Sequence, residues 1–322
     1  MKKEVKKKQV NLKCKLPKFE FEEVLSLQDA SQKSGWEITA FNLPEAWQFS
    51  QGEGVVTAVL DCGVQLDHPD IKNNLLPGKN FVNPKESPNE LKCCHGSHVT
   101  GTICAENNDV GMIGIAPKSK VIPVKVLDSN GNGNMLNVAA GIKWAADQGV
   151  DFICMSLGCP NPVPQVEKAI DYADSKGIVT FCAAGNAGRT RQIFYPANYK
   201  TTIGIAACDE NFSRADFSCT GDDLDFMAPG VKIFSTVPEN WYGVLSGSSM
   251  ATPFVVGVAA LVLSYTRKNK TNIKLKNHED YRQLFRKYTI PVSNPEFAGK
   301  KFFEGFGIID PRKMEEWVKN HK

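Results

Sequence analysis

Nucleophilic catalysis by a serine needs two helpers, a base that removes the hydroxyl proton and a third group that orients the base. Histidine is the usual base, and this sequence offers only five: His68, His95, His98, His278 and His321. His278 and His321 lie in polar C-terminal sequence, and His68 lies in a turn before Pro69. His95 and His98 remain, in the segment CCHGSHVTGTICA, where Gly96 and Gly101 allow close packing of a helix that begins near His95. A serine of the required kind is Ser249, in SGSSMATPFVVGVAALV. Small residues lead up to it, Pro253 fits the first turn of a helix, and the run that follows is apolar on every side, so the helix is buried. A serine at such a helix N-terminus meets free backbone N–H groups and the positive end of the dipole, both of which favour an adjacent anion. Read alone, the same segment serves as a capped core helix, and a lone histidine as a packing residue.

The elements that would position these groups follow from periodicity. Residues 55–60 (VVTAVL), 121–127, 151–156 and 178–183 read as strands, the first running directly into Asp61. Residues 135–148 and 163–176 have helical spacing and stop at Gly149 and Gly177. Strands alternating with helices of this length predict an α/β fold with a parallel sheet covered on both faces. Functional loops of such a sheet gather at the carboxyl ends of its strands, where Asp61, Ser156 and Asn186 all fall.

Composition sets the outer bounds. The chain has 322 residues, 42% hydrophobic and 23% charged, enough to bury a substantial core. No run reaches the roughly 18 apolar residues of a membrane span. The longest, residues 254–263, reads as a core helix, so no membrane partner is expected. The N-terminal MKKEVKKKQVNLKCKL lacks the apolar centre of a secretory signal. Ten cysteines without a CxxC pair, the closest being Cys93 and Cys94, favour free thiols in a reducing compartment and a cytoplasmic location. Residues 1–18 and 267–322 each carry net +7, which leaves −11 for residues 19–266. The basic ends lack interleaved aromatics and the body is acidic, so solvated termini are expected and nucleic acid is not a partner.

Four segments, VVTAVLDCGVQLDHPDI, HGSHVTGT, FCAAGNAG and GSSMATP, resemble in order and spacing the signatures of subtilisin-like serine proteases. VKVLDSNGNGN, MSLG, YPA, DFMAPG and FEGFGIIDP extend the resemblance over roughly residues 36–312. It implies a subtilisin-like three-layer αβα fold with a mainly parallel central sheet. It makes Ser249 the nucleophile of a serine endopeptidase, His95 its base and Asp61 the orienting acid, in an order that is itself a feature of the family. Asn186 and the backbone N–H of Ser249 would hold the oxyanion, with Ser248 offering a further hydroxyl to it, while His98 would be a packing residue. Phe254 stands where the family commonly has a non-catalytic histidine. Cys62 and Cys94 flank Asp61 and His95, either as small fillers or as a source of sensitivity to bulky thiol reagents.

The resemblance also implies how partners bind. Polypeptide substrates would add as a strand between residues 132–135 (Asn132, Gly133 and Met135 among them) and Ser156, Leu157 and Gly158. Ala183 and Gly185 would line the pocket for the side chain before the scissile bond, with Phe194 shortening it to favour small or medium residues. Gln32, Asp70 and Asn108, with the carbonyls of Glu106, Val110 and Met112, match the family's calcium loop, an oxygen-only set suited to a hard cation. The closest likeness is to the intracellular subtilisins, which carry a short N-terminal extension and often form homodimers. Residues 1–35 would then be an extension and 36–322 the catalytic domain, with residues 1 to about 25 lying across the acidic cleft and Pro17 resisting cleavage. Dedicated processing of one leader peptide is an alternative, and a non-catalytic peptide-binding protein a remote one.

Overall fold

The computed structural model describes residues 12–16, 20–25 (as backbone), 32–189, 192–271, 273–313 and 316–317. Two short strands come first, β1 (Lys13–Lys15) and β2 (Glu20–Leu25), then two short helices, α1 (Trp36–Ala40) and α2 (Leu43–Ala46). The body follows as β3 (Val56–Asp61), β4 (Lys79–Asn80), α3 (His95–Cys104), β5 (Lys120–Lys125), β6 (Asn132–Asn134) and α4 (Met135–Asp147). Next come β7 (Phe152–Met155), α5 (Pro164–Ser175), β8 (Val179–Ala183), β9 (Thr202–Cys208) and β10 (Phe226–Pro229). The antiparallel pair β11 (Ile233–Val237) and β12 (Trp241–Ser246) leads into the long helix α6 (Ser248–Asn269). The chain closes with α7 (His278–Lys287), β13 (Thr289–Ile290), α8 (Lys301–Glu304) and β14 (Ile308–Ile309).

Nine strands form one sheet in the order β13-β14-β10-β9-β8-β7-β3-β5-β4, parallel except at the β13–β14 edge. The central strands are buried along their whole length, which is why VTAVLD and TIGIAAC read as unbroken apolar runs rather than alternating ones. From β3 the chain moves to one edge of the sheet, and after β5 it returns to add β7 on the other side. That reversal puts a crevice at the carboxyl end of β3, where open α/β sheets bind their ligands. Helices α4 and α5 pack together on the sheet, and so do α3 and α6, giving three layers.

Local signals set the helix ends. Asn134 caps α4 by accepting from the Leu136 N–H at 2.9 Å, and the helix stops before Gly149, whose φ of +71° suits glycine best. Helix α6 is longer than the apolar stretch suggested: 22 residues, buried from Ser248 to Thr266. It is long and apolar enough to cross a membrane, but 94% of its most apolar window is buried inside this fold. The predicted strands and helices all form, each within a residue or two of the expected bounds. Asp61 proves to be the last residue of β3 rather than the first after it. Pro253 lies inside α6, in its second turn, not its first. A second, three-stranded sheet, β11-β12-β2, stands outside the main one, and periodicity gave no sign of it.

Candidate active site

The end of β3 delivers Asp61 to the start of α3. A side chain at Gly96 would collide with the Gly63 carbonyl, so only glycine lets the first turn of α3 settle against this strand end. The approach brings His95 Nδ1 to 2.9 and 3.0 Å from the two Asp61 carboxylate oxygens, with the residues 0% and 1% exposed. Asp61 also accepts from the Cys62 N–H at 2.7 Å, which fixes the carboxylate plane. Burial opposes a charge on the His95 ring, but the carboxylate outweighs it and the imidazole titrates above its ordinary value. The Nδ1 side is thus committed to Asp61, leaving Nε2 as the nitrogen for base chemistry. His98 is the packing residue of the two: it bonds the Ile233 carbonyl at 2.9 Å, and burial pushes its pKa down to about 3.

Ser249 sits in the first turn of α6 and is tied to Ser156 by two reciprocal bonds. The Ser249 hydroxyl donates to the Ser156 carbonyl at 3.1 Å, and the Ser156 hydroxyl donates to the Ser249 carbonyl at 2.9 Å. Pro253 explains the second bond. It has no N–H for the carbonyl four residues earlier, which is that of Ser249, and the Ser156 hydroxyl takes the place. Ser156 follows β7, the strand beside β3, so this link ties Ser249 to the neighbour of the strand that ends in Asp61.

One strand further, Asn186 follows β8. Its carbonyl oxygen accepts from the Ser248 N–H at 2.9 Å and the Ser248 hydroxyl at 2.7 Å, which leaves the amide NH₂ on its other side. The same Ser248 hydroxyl accepts from the Gly185 N–H at 3.1 Å. Ser248 therefore orients Asn186, rather than facing a reacting oxygen itself as its position had suggested. Phe254 is fully buried, its ring 5.3 Å from that of Phe41. The two thiols beside the acid–imidazole pair differ in exposure. Cys62 is buried, with its sulfur 3.7 Å from the Cys93 carbonyl, whereas Cys94 is half-buried and its thiol is pushed up to about 12 by burial.

A cleft of about 950 Å³ reaches Asn186 and is lined also by Gly133, Gly158, Cys159 and Phe194 among others. Strand β1 forms one wall of it, antiparallel to β6, with Lys13, Cys14 and Lys15 opposite Asn134, Gly133 and Asn132. The Leu16 N–H donates to the Gly131 carbonyl at 2.9 Å, the Met135 N–H to the Leu12 carbonyl at 2.8 Å, and Lys15 bridges to Gly158 on the far side. Cys14 and Leu16 are buried there. Beyond the cleft, β2 adds to β12 with Glu20 opposite Ser246, three residues before Ser249. Pro17 and residues 1–11 fall outside the described residues. Phe194 stands between Gly158 and Gly185, close enough that a Cβ at either would touch it, and Ala183 and Leu157 are buried behind.

Around the loop after α3, Gln32 Nε2 lies 2.6, 3.3 and 2.9 Å from the carbonyls of Glu106, Val110 and Met112. Three acceptors thus share a group with two hydrogens. Asp70 is buried beside them, accepting from Asn108 Nδ2 at 3.0 Å and the Met112 N–H at 2.8 Å, and burial holds its carboxyl above the ordinary value. Turning the two amides end for end would present oxygens in place of N–H groups, giving an all-oxygen cage. Among the described residues no group of three or more His, Cys, Asp or Glu side chains is placed to hold a metal, so a thiolate or imidazole site is not supported.

Residues 52–307 match the profile of the Subtilase family. The chain is 40% identical over 262 residues to "Subtilisin" of Bacillus pumilus, covering 80% of this chain and 90% of that protein. It is equally similar to "Subtilisin E" of Bacillus subtilis (strain 168), of which it spans 65%. Over 260 residues it is 40% identical to "M-protease" of Shouchella clausii (strain KSM-K16), covering 80% of this chain and 66% of that one.

The reciprocal serine pair gives a direct test. Ser156→Ala removes one bond to the Ser249 backbone, and peptide hydrolysis should fall by about 3- to 10-fold in kcat, the worth of one such hydrogen bond, with the fold retained. Steady-state kinetics beside circular dichroism measures both, and an unchanged kcat would mean that Ser156 does not hold Ser249 in a position that matters for turnover.

Proposed function

Because this chain belongs to the subtilase family of serine endopeptidases, we propose that it hydrolyses peptide bonds through Ser249, His95, Asp61 and Asn186. The observation that carries this reading is the buried Asp61–His95 contact, one strand away from a serine hydroxyl held at a helix N-terminus. Rotation about its Cα–Cβ bond turns the Ser249 hydroxyl from the Ser156 carbonyl toward His95 Nε2, which takes the proton as the oxygen attacks the scissile carbonyl. Asp61 stabilises the imidazolium that forms. The tetrahedral oxyanion is met by the Asn186 amide, already aimed by Ser248, and by the Ser249 N–H. His95 then protonates the leaving amine, and water hydrolyses the acyl-enzyme by the reverse sequence.

A substrate would add as a strand between residues 131–135 and 156–158, the place β1 takes. Residues 1–35 then act as an inhibitory pro-segment, with residues 12–16 imitating the substrate. Phe194 beside Gly158 and Gly185 fills part of the pocket for the side chain preceding the cleaved bond, favouring small or medium residues. Calcium suits the cage of Gln32, Asp70, Asn108 and the carbonyls of Glu106, Val110 and Met112. There it would neutralise the buried Asp70 and pin residues 32–33 to the loop, a structural rather than a chemical role.

Deleting residues 1–25 should raise turnover of a peptide substrate by about tenfold or more, since a tethered strand competes at high effective concentration. The same deletion carrying Ser249→Ala should show no turnover. Unchanged activity after deletion would end the latency reading, and hydrolysis by the Ser249→Ala protein would end the catalytic one. Phe194→Gly should shift the preferred residue before the cleaved bond toward Phe and Tyr, read from a peptide library, whereas a parent enzyme already cutting best after aromatics would contradict the pocket assignment. Calcium chelation should lower the thermal midpoint, and added calcium should restore it in a concentration-dependent way. Asp70→Asn should blunt that response, while an equal response in the variant would place the ion elsewhere.

A further inference from the structure

The strand that walls the cleft carries a cysteine, and register places a second one opposite it. Residue 15 bridges antiparallel to residue 158, so Cys14 falls across from Cys159. Backbone bonding identifies the kind of pair. Cys159 spends its N–H and carbonyl on Tyr195, at 2.8 and 2.9 Å, so its backbone groups point away from β1. Residues 12 and 16 bond to 135 and 131, and alternation turns the Cys14 backbone to Gly133, again away from Cys159. Cys14 and Cys159 are thus a non-hydrogen-bonded antiparallel pair, the kind whose Cα atoms lie about 4.5 Å apart with side chains on one face. That spacing falls within the roughly 4.4–6.8 Å that a disulfide spans. Both side chains are buried, at 4% and 3% exposure, and both line the same cleft. The other close thiols, Cys62 and Cys93, belong to the catalytic body, whereas Cys14 alone of the ten cysteines belongs to the segment before residue 36.

We propose that Cys14 and Cys159 are a thiol pair that a low-molecular-weight disulfide oxidises to a cross-strand bond, locking the N-terminal segment in the cleft. The sulfur of one cysteine attacks the disulfide reagent and releases one thiol. The partner cysteine then attacks the mixed disulfide and releases the second. Two protein thiols lose two electrons and two protons, and one reagent disulfide becomes two thiols. Both protein thiols are raised by burial, that of Cys14 to about 12, so exchange is slow at neutral pH and quickens as pH rises. Reduction frees the strand, which then leaves the cleft by ordinary dissociation or is cut. The lock rests on the latency reading above, but the bond itself does not.

Full-length protein carrying Ser249→Ala, which cannot trim itself, is incubated with oxidised glutathione at mildly alkaline pH, blocked, digested without reduction and mapped by mass. The expected product joins the peptides bearing Cys14 and Cys159, and dithiothreitol reverses it. Cys14 recovered only as free thiol or glutathione adduct, or a Cys62–Cys93 bond with Cys14 free, overturns the proposal. In parallel, the full-length active enzyme should be at least about tenfold less active oxidised than reduced. Cys14→Ala, in the N-terminal segment, should abolish that difference. A Cys14–Cys159 bond with activity equal in both states and as high as that of the protein lacking residues 1–25 overturns the lock and the latency reading together, whereas equally low activity in both states overturns the lock alone.

Discussion

A carboxylate and an imidazole, both removed from water, meet at the junction of one strand and one helix, and much of the architecture serves to make that meeting tolerable. Burying either group alone is costly, and the pair is stable only because each satisfies the other and the strand end supplies a further N–H. The parallel sheet provides the fixed point. Its β3 strand is held on both sides by β5 and β7, and the reversal of strand order leaves open the crevice into which the helix N-termini point. Glu90 adds a strut to this corner. It accepts from the backbone of Lys92 and Cys93, just before His95, and from Lys125 and Ser129, while Lys125 in turn holds the Cys62 carbonyl. Burial works against the charge on Glu90, but these donors prevail and hold its carboxyl down to about 2.

What the sequence disclosed followed how local each cause was. Strands β3, β5, β7 and β8 and helices α4 and α5 were legible because their apolar patterns are fixed by burial and their ends by Gly, Pro and Asn. The β11–β12 hairpin was not, because strands Ile233–Val237 and Trp241–Ser246 lie off the main sheet and their pairing, including that of β2, is decided by contacts distant in sequence. The same holds within the site. Asp61 and Asn186 announced themselves as residues after strands, whereas the tie of Ser156 to Ser249 spans 93 positions. A signal for it did exist: Pro253, four residues after Ser249, must leave a carbonyl in want of a donor.

The departures from the expected residue pattern are of two kinds. Phe254 and Cys62 are absorbed by packing and change nothing in the arrangement of donors and acceptors. Ser248 keeps its hydroxyl on the Asn186 carbonyl oxygen, while its backbone N–H, a donor only, fixes which end of that amide faces outward. A backbone donor one position before Ser249 thus settles an orientation that the amide group, symmetric in shape, would leave undetermined.

The extension grips the body through two separate sheets, β1 against β6 and β2 against β12. Such a strap behaves as a bivalent ligand: losing one hold leaves the other to guide rebinding, so full departure is far slower than the opening of either end. An arriving polypeptide need not wait for complete departure. It can invade the momentarily vacated half and advance residue by residue, as strands displace one another in a duplex. The rate of unmasking would then depend on the invader's length as well as on its sequence.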